Sequence, residues 1–276
     1  QDPAGPERHW HRLYHAWRWR GGAVFQTALS ALDIALWDLE GKRLGRYQIL
    51  GHVAAGGMAT VHVARAEGTF GFERLVAVKV LHAHLANEDE LVTMFVDEAH
   101  MAARIRHPKV VSVLDVADDP EEGLYLVMDY VEGDHLGTIL KALTSAREPM
   151  PTRIAIRIVL DLLEGLEAAH ELEDDRGNAT PIIHRDVTPH NLLVGVDGVT
   201  RLSDFGIARA EARISQTRDG QFKGKLSYMA PEQIHEGVAD ARTDLFSAGI
   251  VLYECLTTTR LFRGDTTADI LRKLLY

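Results

Sequence analysis

The chain has 276 residues, of which 46% are hydrophobic and 25% charged, as is ordinary for a soluble globular protein of one or two domains. The formal net charge of −10 argues against nucleic acid as a partner. The only cysteine, Cys255, excludes an intrachain disulfide and favours a reducing compartment. No apolar run approaches the roughly 20 residues that span a bilayer. We therefore expect a cytoplasmic protein with no membrane segment in this chain.

The first forty-odd residues carry two helical patterns. HWHRLYHAWRWR (9–20) repeats its apolar side chains at helical spacing, and a leucine stripe runs from Leu29 to Leu39. The stretch RWRGGAVFQTALSALDIALWDLEGKRLG resembles, over about residues 8–44, the N-terminal capping region of mandelate-racemase-like sugar-acid dehydratases of the enolase superfamily. The catalytic barrel of that family has no counterpart downstream. We therefore carry over none of its catalytic residues.

From Gly45 the pattern changes to strands. YQIL (47–50) and TVHVARA (60–66) flank a small-residue run, LVAVKVL (75–81) has strand composition, and residues 110–131 predict a hairpin. Helices then prevail, over 153–172 and 244–258, with a short hairpin in LLVGVDGVTRLSD between them. A strand-rich part followed by a helical part predicts an α+β fold with two lobes.

Five motifs in order carry the chemistry. They are VAVK with Lys79, Glu98 on the helix that follows, HRDVTPHN with Asp186 and Asn191, DFG with Asp204, and APE at 230–232. Together they resemble bacterial eukaryotic-type (Hanks-type) protein serine/threonine kinases over about residues 45–276. The resemblance implies the bilobal protein-kinase fold, with the helical segment 1–44 before it. It implies an N-lobe of about 45–128, a hinge of about 129–133 and a C-lobe of 134–276 that stops short of the family's last helices.

The resemblance also implies ATP and Mg²⁺ as cofactors and a protein as substrate. Lys79 would hold the α- and β-phosphates, oriented by an ion pair with Glu98, and Asp186 would accept the proton of a Ser or Thr hydroxyl. Asn191 and Asp204 would bind Mg²⁺ through hard oxygen ligands. The other implied nucleotide-binding residues are Val53, Gly56, Gly57, Val61, Ala77, Met128, Asp129, Val131 and Leu193.

Two departures from the family pattern affect these roles. The Gly-rich loop has Ala54, Gly56 and Ala59 where GxGxxG is usual, so we expect weakened ATP binding. The lysine of HRDxKxxN is Thr188 here, and Lys225 stands where a threonine usually precedes the APE stretch. We predict that Lys225 supplies the cation that Thr188 lacks. The alternative is a solvent-facing Lys225.

Regulation is expected in the segment between DFG and APE. Arg185 precedes the catalytic Asp, as in kinases whose activation loop is ordered by a phosphate paired with that arginine. Thr217 is the first candidate phosphosite and Ser215 the second. Self-phosphorylation there would bring two copies together, so a transient homodimer is an expected partner.

Three functional classes follow from the sequence. The favoured one is an ATP- and Mg²⁺-dependent protein Ser/Thr kinase, and the alternative is a weak or inactive nucleotide-binding pseudokinase or scaffold. A sugar-acid dehydratase lacks its barrel. The junction near Gly41–Gly45 fits a gene fusion, a misassembled reading frame, an artificial recombination, or a helical appendage that packs on the N-lobe.

Overall fold

The computed structural model describes residues 42–86, 88–120, 122–205, 224–235 and 239–276. These residues form two compact units. The first unit comprises 42–86 and 115–130, and the second comprises 88–114 and the described residues from 131 onward. The predicted helical segment 1–44, apart from its last three residues, lies outside the described residues, as do the candidate phosphosites Ser215 and Thr217.

The first unit is built on a six-stranded sheet. Its strands are β1 (Arg43–Leu44), β2 (Tyr47–Ala55), β3 (Ala59–Glu67), β4 (Glu73–Leu81), β5 (Val113–Asp119) and β6 (Gly123–Asp129). Their order across the sheet is β1-β2-β3-β4-β6-β5, and a 3₁₀ turn, Thr69–Gly71, connects β3 to β4. β1 and β2 join through Gly45, whose φ of +54° favours glycine.

Alternation along β4 determines which side chains form the core of this unit. Val76, Val78 and Val80 are all buried, and because successive strand residues point to opposite faces they share one face. They pack with Ala64 of β3, with Tyr125 and Val127 of β6, and with Leu44, Tyr47 and Ile49. The residues between them on β4, Ala77 and Lys79, therefore lie on the opposite face.

The second unit is mainly helical. Its helices are α1 (Asp89–Arg104), α2 (Leu136–Ala146), α3 (Thr152–His170), α4 (Pro231–His235), α5 (Ala241–Thr257) and α6 (Thr267–Leu275). A small antiparallel sheet comprises β7 (Gly133–His135), β8 (Leu192–Gly195) and β9 (Thr200–Leu202), and a 3₁₀ turn, Pro189–Asn191, precedes β8. The core contains fully buried Leu162 and Leu166 of α3, Leu202 of β9 and Val251 of α5.

A buried ion pair and a close backbone approach anchor β9 to α3. The Asp161 carboxylate, which has no exposed area, accepts from Lys109 Nζ at 2.7 Å and from the Thr200 amide at 2.9 Å. A Cβ at Gly165 would lie 2.9 Å from the Lys109 carbonyl oxygen, so only glycine permits this approach of α3. The Leu202 amide donates to the same Lys109 carbonyl oxygen at 2.8 Å, so both ends of the strand that leads to Asp204 are held.

The predicted α+β fold is confirmed, with strands at 47–55, 59–67 and 73–81 and helices at 152–170 and 241–257. The hairpin predicted in 110–131 is formed by β5 and β6, and that in LLVGVDGVTRLSD by β8 and β9. The structure groups α1 with the second unit, whereas the predicted N-lobe of 45–128 includes it. None of the helices within the described ranges is both long and apolar enough to cross a membrane.

Candidate active site

Asp186 lies in the loop between α3 and β8, and its carboxylate is buried with two side-chain donors around it. Lys225 Nζ donates to Asp186 Oδ2 at 2.8 Å, and Asn191 Nδ2 donates to the same oxygen at 3.0 Å. Asn191 Nδ2 also donates to the Asp186 carbonyl oxygen at 2.7 Å. Charge-assisted hydrogen bonds thus bring Lys225, which is distant in sequence, and Asn191, which is near, to the carboxylate of Asp186.

The His184 side chain bonds to the backbone at Asp186 and at Ser203. Its ring has no exposed area, its Nε2 lies 2.9 Å from the Ser203 carbonyl oxygen, and its Nδ1 accepts from the Asp186 amide at 3.2 Å. These partners assign a proton to Nε2, and the ring links the loop before Asp186 to the residue before Asp204. The ring also packs on Phe205, with centroids 4.6 Å apart.

Asp244, near the start of α5, also stabilises this loop. Its carboxylate is fully buried and accepts from the backbone amides of His184 and Arg185, both at 2.8 Å, and contacts His170 Nε2 at 2.7 Å. Arg185 has φ of +67°, a conformation that costs about 1–3 kcal/mol for a residue other than glycine. The Asp244 bond and a bond from Gln233 Nε2 to the Arg185 carbonyl oxygen hold it there.

The sequence motifs did not single out His170, Gln233 or Asp244. A signal for Asp244 was present, because it is an acid in a helix whose neighbours Ser247, Ala248 and Val251 are buried. Buried charges are almost always partnered, so such an acid indicates nearby donors. The sequence gives no indication of which donors they are.

The two predicted metal ligands, Asn191 and Asp204, lie on segments that a backbone hydrogen bond joins. Both hydrogen bonds from the Asn191 amide nitrogen go to Asp186, which leaves its amide oxygen as an acceptor. Asp204 has φ of +62° and follows Ser203, whose amide donates to the Asn191 carbonyl oxygen at 2.9 Å. The Asp204 carboxylate and the Asn191 amide oxygen, on segments joined by this backbone hydrogen bond, form a donor set that fits Mg²⁺.

Lys225 and Thr188 occupy different environments. The Thr188 side chain is buried, and its carbonyl oxygen accepts from the Asn191 amide at 3.0 Å. The Lys225 side chain is 32% exposed and reaches Asp186. The ammonium group therefore lies beside the carboxylate rather than in solvent.

The first unit carries four of the predicted nucleotide-binding residues on one face of its sheet. Val61 lies directly opposite Lys79 and Ala77 opposite Met128. Opposed residues and residues two apart on a strand share a face, so these four lie together, with Lys79 only 8% exposed. Val53 is exposed on β2, and Gly56 and Gly57 lie in the turn between β2 and β3.

Three further predicted residues lie on helices or strands, and a fourth, Val131, lies between β6 and β7. Asp129 ends β6 and forms an ion pair with Arg74. Val131 is half-buried in the second unit, and Leu193 lies on β8, opposite His135 and Arg201. Glu98 is buried on α1, on the face that contains Phe95 and Ala102. Because Lys79 and Glu98 belong to different units, their ion pair stays a prediction.

Two pKa values bear on other chemistry near the site. Burial raises the pKa of the Cys255 thiol to about 12, so it stays protonated at neutral pH and is no nucleophile. Burial, together with the neighbouring Glu254, raises the pKa of Tyr228, whose hydroxyl donates to that carboxylate. Neither side chain is therefore ionised at neutral pH.

Similarity to known proteins identifies the family and the fold of this chain. The protein kinase domain model matches residues 47–275. The chain belongs to the protein kinase domain family. The predicted bilobal kinase fold is confirmed, since this kinase domain also resembles the PknI kinase domain of Mycobacterium tuberculosis with a TM-score of 0.59. That match has 26% identity and covers 80% of this chain and 77% of the other.

Two relatives that this kinase domain resembles are much longer than the chain. It is 38% identical over 250 residues to tyrosine-protein kinase MasK of Myxococcus xanthus, covering 91% of this chain and 38% of the relative. It is 35% identical over 238 residues to serine/threonine-protein kinase PrkC of Bacillus subtilis, covering 86% of this chain and 34% of the relative. The chain thus spans little more than a third of either relative.

Proposed function

We propose that this kinase domain transfers the γ-phosphoryl group of ATP to Ser or Thr hydroxyls of proteins. The observation that carries the proposal is the buried Asp186 carboxylate with Lys225 and Asn191 bonded to it. Asp186 would accept the proton of the acceptor hydroxyl while that oxygen bonds to the γ-phosphorus and the bond to ADP breaks. The similarity to PrkC, which is named a serine/threonine kinase, supports the same reaction.

The family generally uses ATP with Mg²⁺, and the residues of this chain fit both. Asn191 and Asp204 would hold Mg²⁺, which neutralises negative charge on the phosphates when bound. Lys79, paired with Glu98, would orient the α- and β-phosphates. The adenine would contact the face that carries Val61, Ala77 and Met128. Val53, Leu193 and the backbone of Asp129 and Val131 would complete its surroundings.

The Gly-rich loop supports weak rather than absent nucleotide binding. A Cβ at Gly56 would make only an ordinary 3.6 Å contact with the Ala59 carbonyl oxygen. Folding therefore does not require glycine here, and the missing Cβ is free to let a phosphate approach the backbone. The second functional candidate, a weak or inactive nucleotide-binding scaffold, rests on Ala54 and Ala59 in this loop.

We further propose that Lys225 replaces the cation that Thr188 lacks. Its ammonium group lies 2.8 Å from the carboxylate that would bind the acceptor hydroxyl, so it is close to the oxygen on which charge changes during transfer. Lys225→Ala should reduce kcat by about 10²-fold, comparable to the loss of one charge-stabilising donor. An unchanged kcat would contradict this role.

The matched control exchanges the two positions. Thr188→Lys combined with Lys225→Thr restores the usual family arrangement, and it should recover part of the rate that Lys225→Thr alone loses. A double variant as slow as the single one would show that Lys225 acts only through its bond to Asp186 in the folded loop.

The remaining predictions follow from the kinase assignment. The domain would extend over 45–276, preceded by the enolase-superfamily-like segment 1–44. Thr217 or Ser215 would be self-phosphorylated in a transient homodimer, and the protein would act in the cytoplasm. Limited proteolysis followed by mass mapping tests the domain boundary, because a separate segment would be cut near residue 44.

The test of the proposed function is transfer from ATP to a generic protein substrate, followed by phosphoamino-acid analysis. Phosphoserine or phosphothreonine that requires Mg²⁺ and is absent with Asp186→Asn is the expected result. Phosphotyrosine would instead support the activity named for MasK, which is the reason to analyse all three residues. Nucleotide binding without any transfer would favour the scaffold.

A further inference from the structure

A cavity of about 490 Å³ lies in the second unit beside the catalytic loop. One wall is α2, another is formed by Pro189 and His190, and the rest comprises Tyr228 and the chain from Glu254 to Arg263. No role in phosphoryl transfer requires this cavity. We call it the basic pocket, because of the side chains that line it.

Three cations and one acid line the basic pocket. The cations are Lys141, Arg260 and Arg263, and the acid is Glu254. Three positive charges against one negative leave two in excess, in a chain whose formal charge is −10. The local charge is opposite to that of the molecule.

Tyr228 forms a hydrogen bond with Glu254, the acid among the residues that line the pocket. Its hydroxyl donates to Glu254. Glu254 is therefore held within the wall, and within the described ranges neither Lys141 nor Arg263 forms an ion pair with it. An anion entering the pocket would find guanidinium and ammonium donors available.

The two walls are fixed to each other by the end of α5. Thr258 has φ of +53°, which stops the helix and turns the chain so that Arg260 joins the wall. Thr144 Oγ1 of α2 lies 2.8 Å from the Leu140 carbonyl oxygen and 3.2 Å from that of Thr258, and it can share its proton between them. This contact joins the backbone of the two walls, while the side chains of Lys141, Arg260 and Arg263 are exposed.

His190 connects the basic pocket to Asp186. It lies four residues after Asp186, in the 3₁₀ turn Pro189–Asn191, and its ring lines the pocket. One wall of the pocket is therefore part of the loop that carries Asp186. A polypeptide with its hydroxyl at Asp186 would bring side chains a few positions away, at about 3.3–3.6 Å per residue, over the pocket.

We propose that the basic pocket binds an acidic side chain of the protein substrate, close in sequence to the phosphorylated hydroxyl. The proposal rests on the proposed kinase function and names its substrate class. Arginine forks bind carboxylates in a bidentate manner, and they bind phosphates in the same way. We assign the site to Asp or Glu, and a phosphorylated residue is a separate arm of the test.

The test uses the full chain and three matched peptides that share one acceptor Ser. Their flanking positions, three on either side, carry Asp, phosphoserine or Ala. The expected result is a kcat/KM at least ten-fold higher for the Asp peptide than for the Ala peptide, mostly through KM. Arg260→Glu should reduce this ratio about five-fold or more. Lys141→Glu, which does not act through Tyr228, should reduce it by a similar factor. The control Arg153→Glu, on the exposed start of α3, should leave the ratio unchanged.

Two outcomes overturn the proposal. One is a wild-type chain that does not distinguish the Asp peptide from the Ala peptide. The other is a ratio that Arg260→Glu and Lys141→Glu leave at the wild-type value. A phosphoserine peptide preferred at least ten-fold over the Asp peptide would overturn the assignment to Asp or Glu in favour of a previously phosphorylated substrate.

Failure of the kinase function would be recognised separately. If the wild-type chain transfers no phosphate, fluorescence anisotropy measures binding of an Asp peptide in which Ala replaces the acceptor Ser. Binding that Arg260→Glu and Lys141→Glu weaken at least five-fold, and Arg153→Glu does not, keeps the pocket assignment while the kinase proposal fails. Binding that no variant weakens would contradict the pocket assignment as well as the kinase proposal.

Discussion

The two units position their predicted functional side chains in different ways. In the first unit, strand register does it: Lys79 lies opposite Val61 on a regular sheet whose other face is an apolar core. In the second unit, Asp186 lies in an irregular loop held by buried polar groups, chiefly His184 and Asp244. The sheet needs only alternating residues, whereas the loop needs particular donors and acceptors.

This difference predicts different sensitivity to substitution. An apolar core tolerates loss of a methyl group at a cost set by the cavity, whereas a buried polar network loses its geometry when one member is left unpaired. We therefore expect single polar changes in the second unit to affect both stability and transfer. Apolar changes in the first unit should affect mainly stability.

The largest expected effect on stability is that of Asp244→Ala. It would leave two buried backbone amides, of His184 and Arg185, without their acceptor, and would also remove the partner of His170. We expect the free energy of unfolding to fall by about 3–5 kcal/mol, as when one partner of a buried charged network is removed. Urea unfolding measures the loss, and the transfer rate should fall with it.

Two controls sharpen this comparison. Asp240→Ala removes an exposed N-cap on the same helix and should destabilise far less. Val78→Ala, in the core of the first unit, should cost about 2 kcal/mol through the cavity it leaves, with transfer nearly retained in the folded fraction. Equal loss of transfer in Val78→Ala and Asp244→Ala would refute the distinction between the two units.

A smaller effect is expected from pH. The His135 ring caps α2 by accepting from the Thr138 amide at 3.1 Å, and burial lowers its pKa below 6.5. Because the folded state holds the proton less tightly than the unfolded state, the contribution of His135 is present above pH 6.5. It is lost as pH falls through the lowered pKa. The Tm should therefore decrease between pH 7.5 and pH 5.

The variant His135→Asn separates this effect from other titrations. Asparagine is a good N-cap that does not titrate, so the Tm of this variant should depend less on pH over the same range. His62 and His190, whose pKa values burial also lowers, remain as sources of the residual dependence. A pH dependence identical to that of the wild type would exclude a role for His135.

Much of the first unit could be predicted from sequence, because alternation in LVAVKVL identifies a strand and its buried face. The helices 152–170 and 241–257 followed from apolar periodicity in the same way. The motifs HRDVTPHN and DFG named the residues around Asp186. Sequence could not show that Asp244 and His184 hold that loop, because those bonds join positions up to 60 residues apart. The basic pocket was missed for the same reason.

The measurement that tests the central claim most directly is the intact mass of the chain after incubation with Mg-ATP, for wild type beside Asp186→Asn. Incubation with EDTA is the parallel control for the metal. We expect added phosphate on the wild type, mapped by peptide analysis to Thr217 or Ser215, and none on Asp186→Asn or with EDTA. Equal phosphate on wild type and Asp186→Asn would contradict the assignment of Asp186 as the base.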